Sequence, residues 1–137
     1  METLHRSVTG SVRGMLRLEG LVVLLAALAG YAHLEASWTR FALLFLVPDL
    51  SMLGYLASAR VGAIAYNAGH SYVGPLVLAV AGLVVAPTLL PYAAIWVAHI
   101  GFDRALGYGL KYATAFGDTH LGRVGKAPAP ALAAATV

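Results

Sequence analysis

The chain has no cysteine, so it has no disulfide, no thiolate zinc site, no iron–sulfur cluster and no cysteine nucleophile. Charge is almost as scarce. Nine Lys/Arg and six Asp/Glu make up 11% of 137 residues, against roughly 25% in an ordinary soluble domain. A globule this small must cover a large surface with polar groups, and these are too few. No G-x-S-x-G, HExxH, Gly-rich phosphate loop or heptad seam is present either. What remains is a chain that is 60% hydrophobic with a mean hydropathy of +0.78. That excludes general disorder and points to lipid as the solvent. The net charge of +3 sits at segment ends, which suits membrane orientation and not nucleic-acid binding.

Four hydrophobic spans are expected, about 15–32, 38–57, 61–85 and 88–107, each near the ~20 residues that cross a bilayer as a helix. Alternation is too brief for a barrel. Short links at 33–37, 58–60 and 86–87 make successive helices antiparallel neighbours. The fold expected is all-α: residues 1–125 form one integral membrane four-helix bundle, closed by a C-terminal cytoplasmic capping segment, and 126–137 form a disordered tail. The basic start and apolar run of span one also suit a cleaved signal peptide; Glu19 and the three later spans argue against that. Arg6, Arg13 and Arg17 precede span one, Arg60 lies between spans two and three, and Arg104, Lys111, Arg123 and Lys126 close or follow span four. The expected protein is multi-pass in the bacterial inner membrane, with both termini cytoplasmic.

Ionisable groups inside a bilayer are costly and default to functional hypotheses. Counted from the cytoplasmic ends, Asp49, His70 and His99 lie roughly 12–14 Å deep, with Asp103 near ~6 Å. Three antiparallel helices would thus bring two carboxylates and two imidazoles to one layer. His99 and Asp103 share a helix face at i,i+4. Either both ligate one metal, or Asp103 accepts the His99 ring N–H and fixes its tautomer. Asn67 and Tyr66, at i,i+3 and i,i+4 from His70, share its face, and Asn67 is a candidate for the same site. Pro48 leaves the Leu44 carbonyl without its donor and kinks span two beside Asp49; Ser51 joins the site only if the kink turns it inward. Gly62, Gly69, Gly74 and Gly101 suit close helix packing, and Trp38, Tyr72 and Tyr92 suit either an interfacial belt or the core. Arg104, with Arg60 and Lys111, is placed to hold an anionic headgroup. The Gly-rich, aromatic segment 107–122 is too polar to cross; folded back, it would deliver Asp118 and His120 as catalytic groups, and otherwise it is an interfacial loop.

The donor set suits zinc first, with manganese or iron as alternatives. Such an ion with one open position hydrolyses phosphoryl or acyl esters, here of a lipid or amphipathic substrate. Three other readings use the same residues: axial His70 and His99 of a haem, a small transporter or proton relay that works as a homo-oligomer, and a structural polar layer that sets helix register.

Over Leu16 to Gly125 the chain resembles a bacterial membrane family known as DUF4260, through residues 16–20 (LRLEG), 48–55 (PDLSMLGY), 65–72 (AYNAGHSY), 98–112 (AHIGFDRALGYGLKY) and 118–122 (DTHLG). That resemblance implies an integral membrane protein and no known activity. More distantly, Pro48-Asp49, His70-Ser71 and His99 with Asp103 resemble, in order, the motifs of the YdjM-like membrane-bound metal-dependent hydrolases. This second likeness implies that Asp49, His70, His99 and Asp103 are metal ligands. Leu50 and Ser51 stand where that family has a further acidic residue or His, and Tyr66-Asn67 replaces a His-rich lead. Fewer ligands leave a single metal, a weakly held one or none.

Overall fold

The computed structural model describes residues 7–125; the expectations for Arg6, Lys126 and the tail 126–137 lie outside the described residues. The chain is mostly helical. Helix α1 spans Gly10–His33, α2 Trp38–Leu44, α3 Ala59–His70, α4 Val73–Val84 and α5 Leu90–Leu106. A 3-10 helix, Val47–Leu56, continues α2, and a short one, Pro87–Leu89, leads into α5. A two-residue hairpin, β1 (Asp118–Thr119) and β2 (Gly122–Arg123), pairs antiparallel near the C-terminal end of the described chain. Gly107, at φ +96°, ends α5 in the left-handed conformation that only glycine adopts without strain.

Three stretches are long and apolar enough to cross a membrane: Gly10–His33, Trp38–Leu56 and Ala59–Val84. Their outer faces carry Leu43, Leu56, Val77 and Val84, all largely exposed in the isolated chain, as suits contact with lipid. The fourth expected span differs. Helix α5 is 17 residues long and is the core of the molecule, burying Ile95, Ala98, His99, Ile100 and Asp103 among others. It lies against α1 on one side and α4 on another, while α3 lies against the 3-10 helix.

Two prolines break the spans. Pro48 ends α2 at Leu44, its i−4 residue, and the chain continues as a 3-10 helix in which the Asp49 N–H reaches back to the Leu46 carbonyl at 3.1 Å. The expected kink is thus a change of helix type. Pro75 acts likewise on the third span, expected at 61–85. Its i−4 residue is Ser71, and the helix stops at His70 and restarts at Val73. Side chains satisfy the carbonyls freed in the gap: Trp96 Nε1 donates to the Gly69 carbonyl at 2.7 Å and Arg104 Nη2 to that of His70 at 2.9 Å. Irregular backbone at membrane depth needs such partners. The break leaves His70 on the last turn of α3, facing α5.

The glycines expected to serve packing do so. A Cβ on Gly62 would run into the Tyr55 ring, one on Gly74 into Trp96, and one on Gly101 would lie 2.7 Å from the Leu24 backbone nitrogen. Trp38 is half exposed, its ring edge-on to the fully buried Tyr31 at 5.1 Å between centroids.

Candidate metal centre

Three elements deliver the four groups at the expected common level: Asp49 from the 3-10 helix, His70 from the end of α3, His99 and Asp103 from successive turns of α5. One ligand-capable atom from each lies within 4.8 Å of the other three. His70 Nε2 is 3.1 Å from His99 Nε2, 3.2 Å from Asp49 Oδ1 and 3.4 Å from Asp103 Oδ2. His99 Nε2 is 3.4 Å from Asp49 Oδ1 and 3.7 Å from Asp103 Oδ2. A tetrahedron of nitrogen and oxygen ligands around zinc has edges of ~3.3 Å. Five of the six edges therefore have that scale. The imidazoles are fully buried and the Asp103 side chain nearly so, while the Asp49 side chain is 31% exposed and marks the accessible flank.

Hydrogen bonds to the backbone orient part of the cluster. His70 Nδ1 lies 2.9 Å from the Tyr66 carbonyl, which can only accept, so Nδ1 carries the proton and a neutral His70 presents a lone pair at Nε2. That lone pair faces two carboxylate oxygens and a second imidazole nitrogen. His99 Nδ1 is buried and has no partner, so a neutral His99 can offer one proton at Nε2, to one acceptor. Tyr66 contributes a proton from outside, its hydroxyl donating to Asp103 Oδ2 at 3.2 Å. Four ligand-capable atoms thus frame one point, and His70 offers it an Nε2 lone pair. Asp103 Oδ2 meets His99 on its Nε2 side at 3.7 Å, while Nδ1 is buried without a hydrogen-bond partner.

The surroundings hold the donors in place. The Tyr66 ring stacks on His70 at 3.7 Å and 9°. Lys111 Nζ lies over the same ring at 4.6 Å from its centroid, and 3.4 Å from that of Phe116, while donating to the Phe116 carbonyl at 2.8 Å. Burial pushes the Lys111 ammonium below its ordinary pKa. On the other flank a column of Phe41, Phe45 and His99 packs ring to ring at 5.4 and 5.3 Å.

Several expected site residues have other roles. The Asn67 side chain exchanges two hydrogen bonds with the Lys111 backbone, at 2.8 and 2.7 Å, and so ties the segment after α5 to α3 instead of reaching the centre. Arg104 is buried, with its guanidinium donating to the carbonyls of His70 and Tyr108 at 2.9 Å each, so it is engaged within the fold and not held open for a headgroup. Ser51 donates to the Pro48 carbonyl at 2.7 Å, because 3-10 geometry aligns i and i+3. Asp118 pairs with Arg123 at 3.2 Å and accepts from Thr114 at 2.7 Å, and His120 Nδ1 accepts the Leu110 N–H at 2.9 Å. Neither belongs to the converging four. Trp96 and Pro75 were not singled out in the sequence, though both had a readable signal. An indole N–H at membrane depth needs an acceptor, and a proline inside an apolar run frees a carbonyl.

His120 makes a prediction of its own. Burial first, and the Arg104 charge second, lower its pKa below the ordinary 6.5. The unfolded segment then binds the proton more readily than the folded one. The stability His120 contributes is complete above that ordinary value and is lost as pH falls from there through the folded pKa. Amide exchange in residues 107–125, corrected for its intrinsic rate, should accelerate between pH 7 and 5. His120→Asn keeps an acceptor for Leu110 without a titrating ring and should flatten the response; an unchanged pH profile in that variant would place the effect elsewhere.

No curated protein and no solved structure matches the chain. Residues 13–124, most of its length, match the family described as Domain of unknown function (DUF4260), and the chain belongs to that family.

Proposed function

We propose that Asp49, His70, His99 and Asp103 hold one divalent metal ion in a membrane protein, and that the centre hydrolyses a phosphoryl or acyl ester of a lipid or amphipathic substrate. The observation that carries this reading is the convergence of one ligand-capable atom from each of these four residues within 4.8 Å of the others. Two imidazoles and two carboxylates suit zinc first and manganese or iron next. The same four residues are those that the resemblance to the membrane-bound metal-dependent hydrolases nominates. A metal ion in such a site supplies Lewis acidity and a nucleophile drawn from water at neutral pH. The chain's residues do the rest. The Tyr66 carbonyl fixes the His70 tautomer and the Tyr66 hydroxyl anchors Asp103, so both donors are oriented in advance. Asp49, the most exposed of the four, lies on the side from which a substrate arrives.

In this reading the spans cross as an antiparallel bundle with both termini in the cytoplasm. The segment after α5 then covers the site from the cytoplasmic side, tied there through Asn67. The polar-layer reading differs in needing no ion. The haem reading suffers from geometry: axial nitrogens on opposite faces of a haem stand about 4 Å apart with the macrocycle between them, whereas these are 3.1 Å apart with carboxylates around them.

Elemental analysis of protein purified without a polyhistidine tag tests the proposal. The wild type should carry about one metal ion per chain, and His99→Ala less than about a tenth of that. Circular dichroism should show His99→Ala still helical. A wild type with no stoichiometric metal, even after zinc, manganese or iron is supplied, would overturn the reading.

A further inference from the structure

Beside the four-residue centre lies an open cavity of about 450 Å³, within the roughly 300–1,000 Å³ of small-molecule sites. Its walls come from the α2/3-10 segment, α4 and α5, including Leu44, Pro48, Leu78, Ile95 and Trp96. Its lining residues neighbour the centre along the chain. Pro48 precedes Asp49, Gly69 precedes His70, and Ile95 lies one turn before His99 on the same face of α5. From His99 back to Tyr92, which lines the far end, α5 rises about 10 Å.

The lining is almost wholly apolar, and two of its polar groups are engaged. Ser51 Oγ donates to the Pro48 carbonyl and Trp96 Nε1 to that of Gly69. A polar ligand in this space would find few partners, and water there would be poorly held. A hydrocarbon chain loses nothing. The walls belong largely to segments apolar enough to cross a membrane, so the solvent at the mouth is lipid.

The geometry points to this cavity as a subsite for a single acyl or alkyl chain of a membrane amphiphile whose oxyanion head group meets the four-residue centre. The tail runs along α5 from His99 toward Tyr92, and the head reaches the exposed flank at Asp49. The assignment of the head rests on the metal reading above; the seating of the tail does not. The substrate class is therefore an amphiphile extracted one chain at a time from the bilayer.

The test uses dodecyl phosphate with a photoactivatable diazirine at the chain end, on full-length protein in a steroid-based detergent whose rigid rings do not mimic one chain. Mass spectrometry locates the adducts. Labelling should saturate and concentrate on Leu44, Leu78 and Trp96, and unlabelled dodecyl phosphate in twentyfold excess should reduce it at least fivefold. Leu78→Phe and, separately, Leu44→Phe fill the cavity and should lower saturable labelling severalfold, with helicity and metal content unchanged. His99→Ala should keep the labelled positions and lose at least tenfold in apparent affinity. If the metal reading fails alone, labelling stays in the cavity and His99→Ala binds as the wild type does. Labelling spread over the outward-facing Leu43, Leu53 and Val77, or insensitive to competitor, would overturn the subsite itself.

Discussion

Wild-type protein treated with a strong chelator should lose about 4 kcal/mol of stability relative to a sample in which free zinc stands a thousandfold above its dissociation constant. His99→Ala should not respond to chelator at all. The size follows from linkage: an ion that binds the folded chain and not the unfolded one adds stability in proportion to the logarithm of its saturation. The sign follows from the site. Without an ion, the Nε2 lone pair of His70 faces Asp49 Oδ1 at 3.2 Å and Asp103 Oδ2 at 3.4 Å, contacts that repel unless a proton or metal lies between them. His70 is fully buried, so water screens these contacts only from the Asp49 side. Removing the ion therefore loses its binding energy and also exposes the repulsion it had covered. His99→Ala takes away one of the two imidazoles and opens the frame. Thermal unfolding in detergent, followed by circular dichroism with and without chelator, measures both. Equal responses in the two proteins would remove the metal and leave the four residues as a polar layer.

The meeting of Asp49, His70, His99 and Asp103 was legible because helix rise is constant and the links between spans are short. Counting residues from the ends of three spans brought the first three to one level, and Asp103 follows His99 by one turn. What counting could not supply was the type of helix at each end of the count. Pro75 breaks the third span after His70, so His70 faces α5 from a helix terminus and not from mid-helix. Pro48 converts the second span to 3-10 geometry, which settles Ser51 onto the Pro48 carbonyl. The burial of α5 as the core also escaped, since hydropathy reports how apolar a helix is and not whether lipid or protein covers it. The segment after α5 was the least readable part. Its residues Lys111, Asp118 and His120 find partners through loop and hairpin geometry that no periodicity encodes: a carbonyl at Phe116, an arginine at 123, an N–H at Leu110. Asn67 was misplaced for the same reason, because its partner is the backbone of that segment.

Gly101→Leu should prevent the protein from reaching its folded state, and Gly101→Ala should cost about 1–3 kcal/mol and most of the bound metal. Between lipid-facing helices there is no hydrophobic gain to drive association, so close backbone approach carries the packing. Helices α1 and α5 meet this way. A Cβ on Gly101 would lie 2.7 Å from the Leu24 nitrogen and 2.9 Å from the Gly20 carbonyl oxygen, and one on Gly20 would lie 2.8 Å from the Ala105 nitrogen. These obstacles are backbone atoms, which cannot swing aside. Gly101 stands two residues from both His99 and Asp103, which is about 200° around the helix. Pushing α5 away from α1 therefore drives both side chains toward His70 and collapses the frame. Gly14, also in α1, has open space where its Cβ would go, and Gly14→Ala should raise stability by about 0.5–1 kcal/mol through helix propensity alone. Measuring unfolding and metal content together on the two alanine variants separates position from residue type. A Gly101→Ala protein as stable and as metal-loaded as Gly14→Ala would show that the α1–α5 contact does not set the geometry of the four-residue centre.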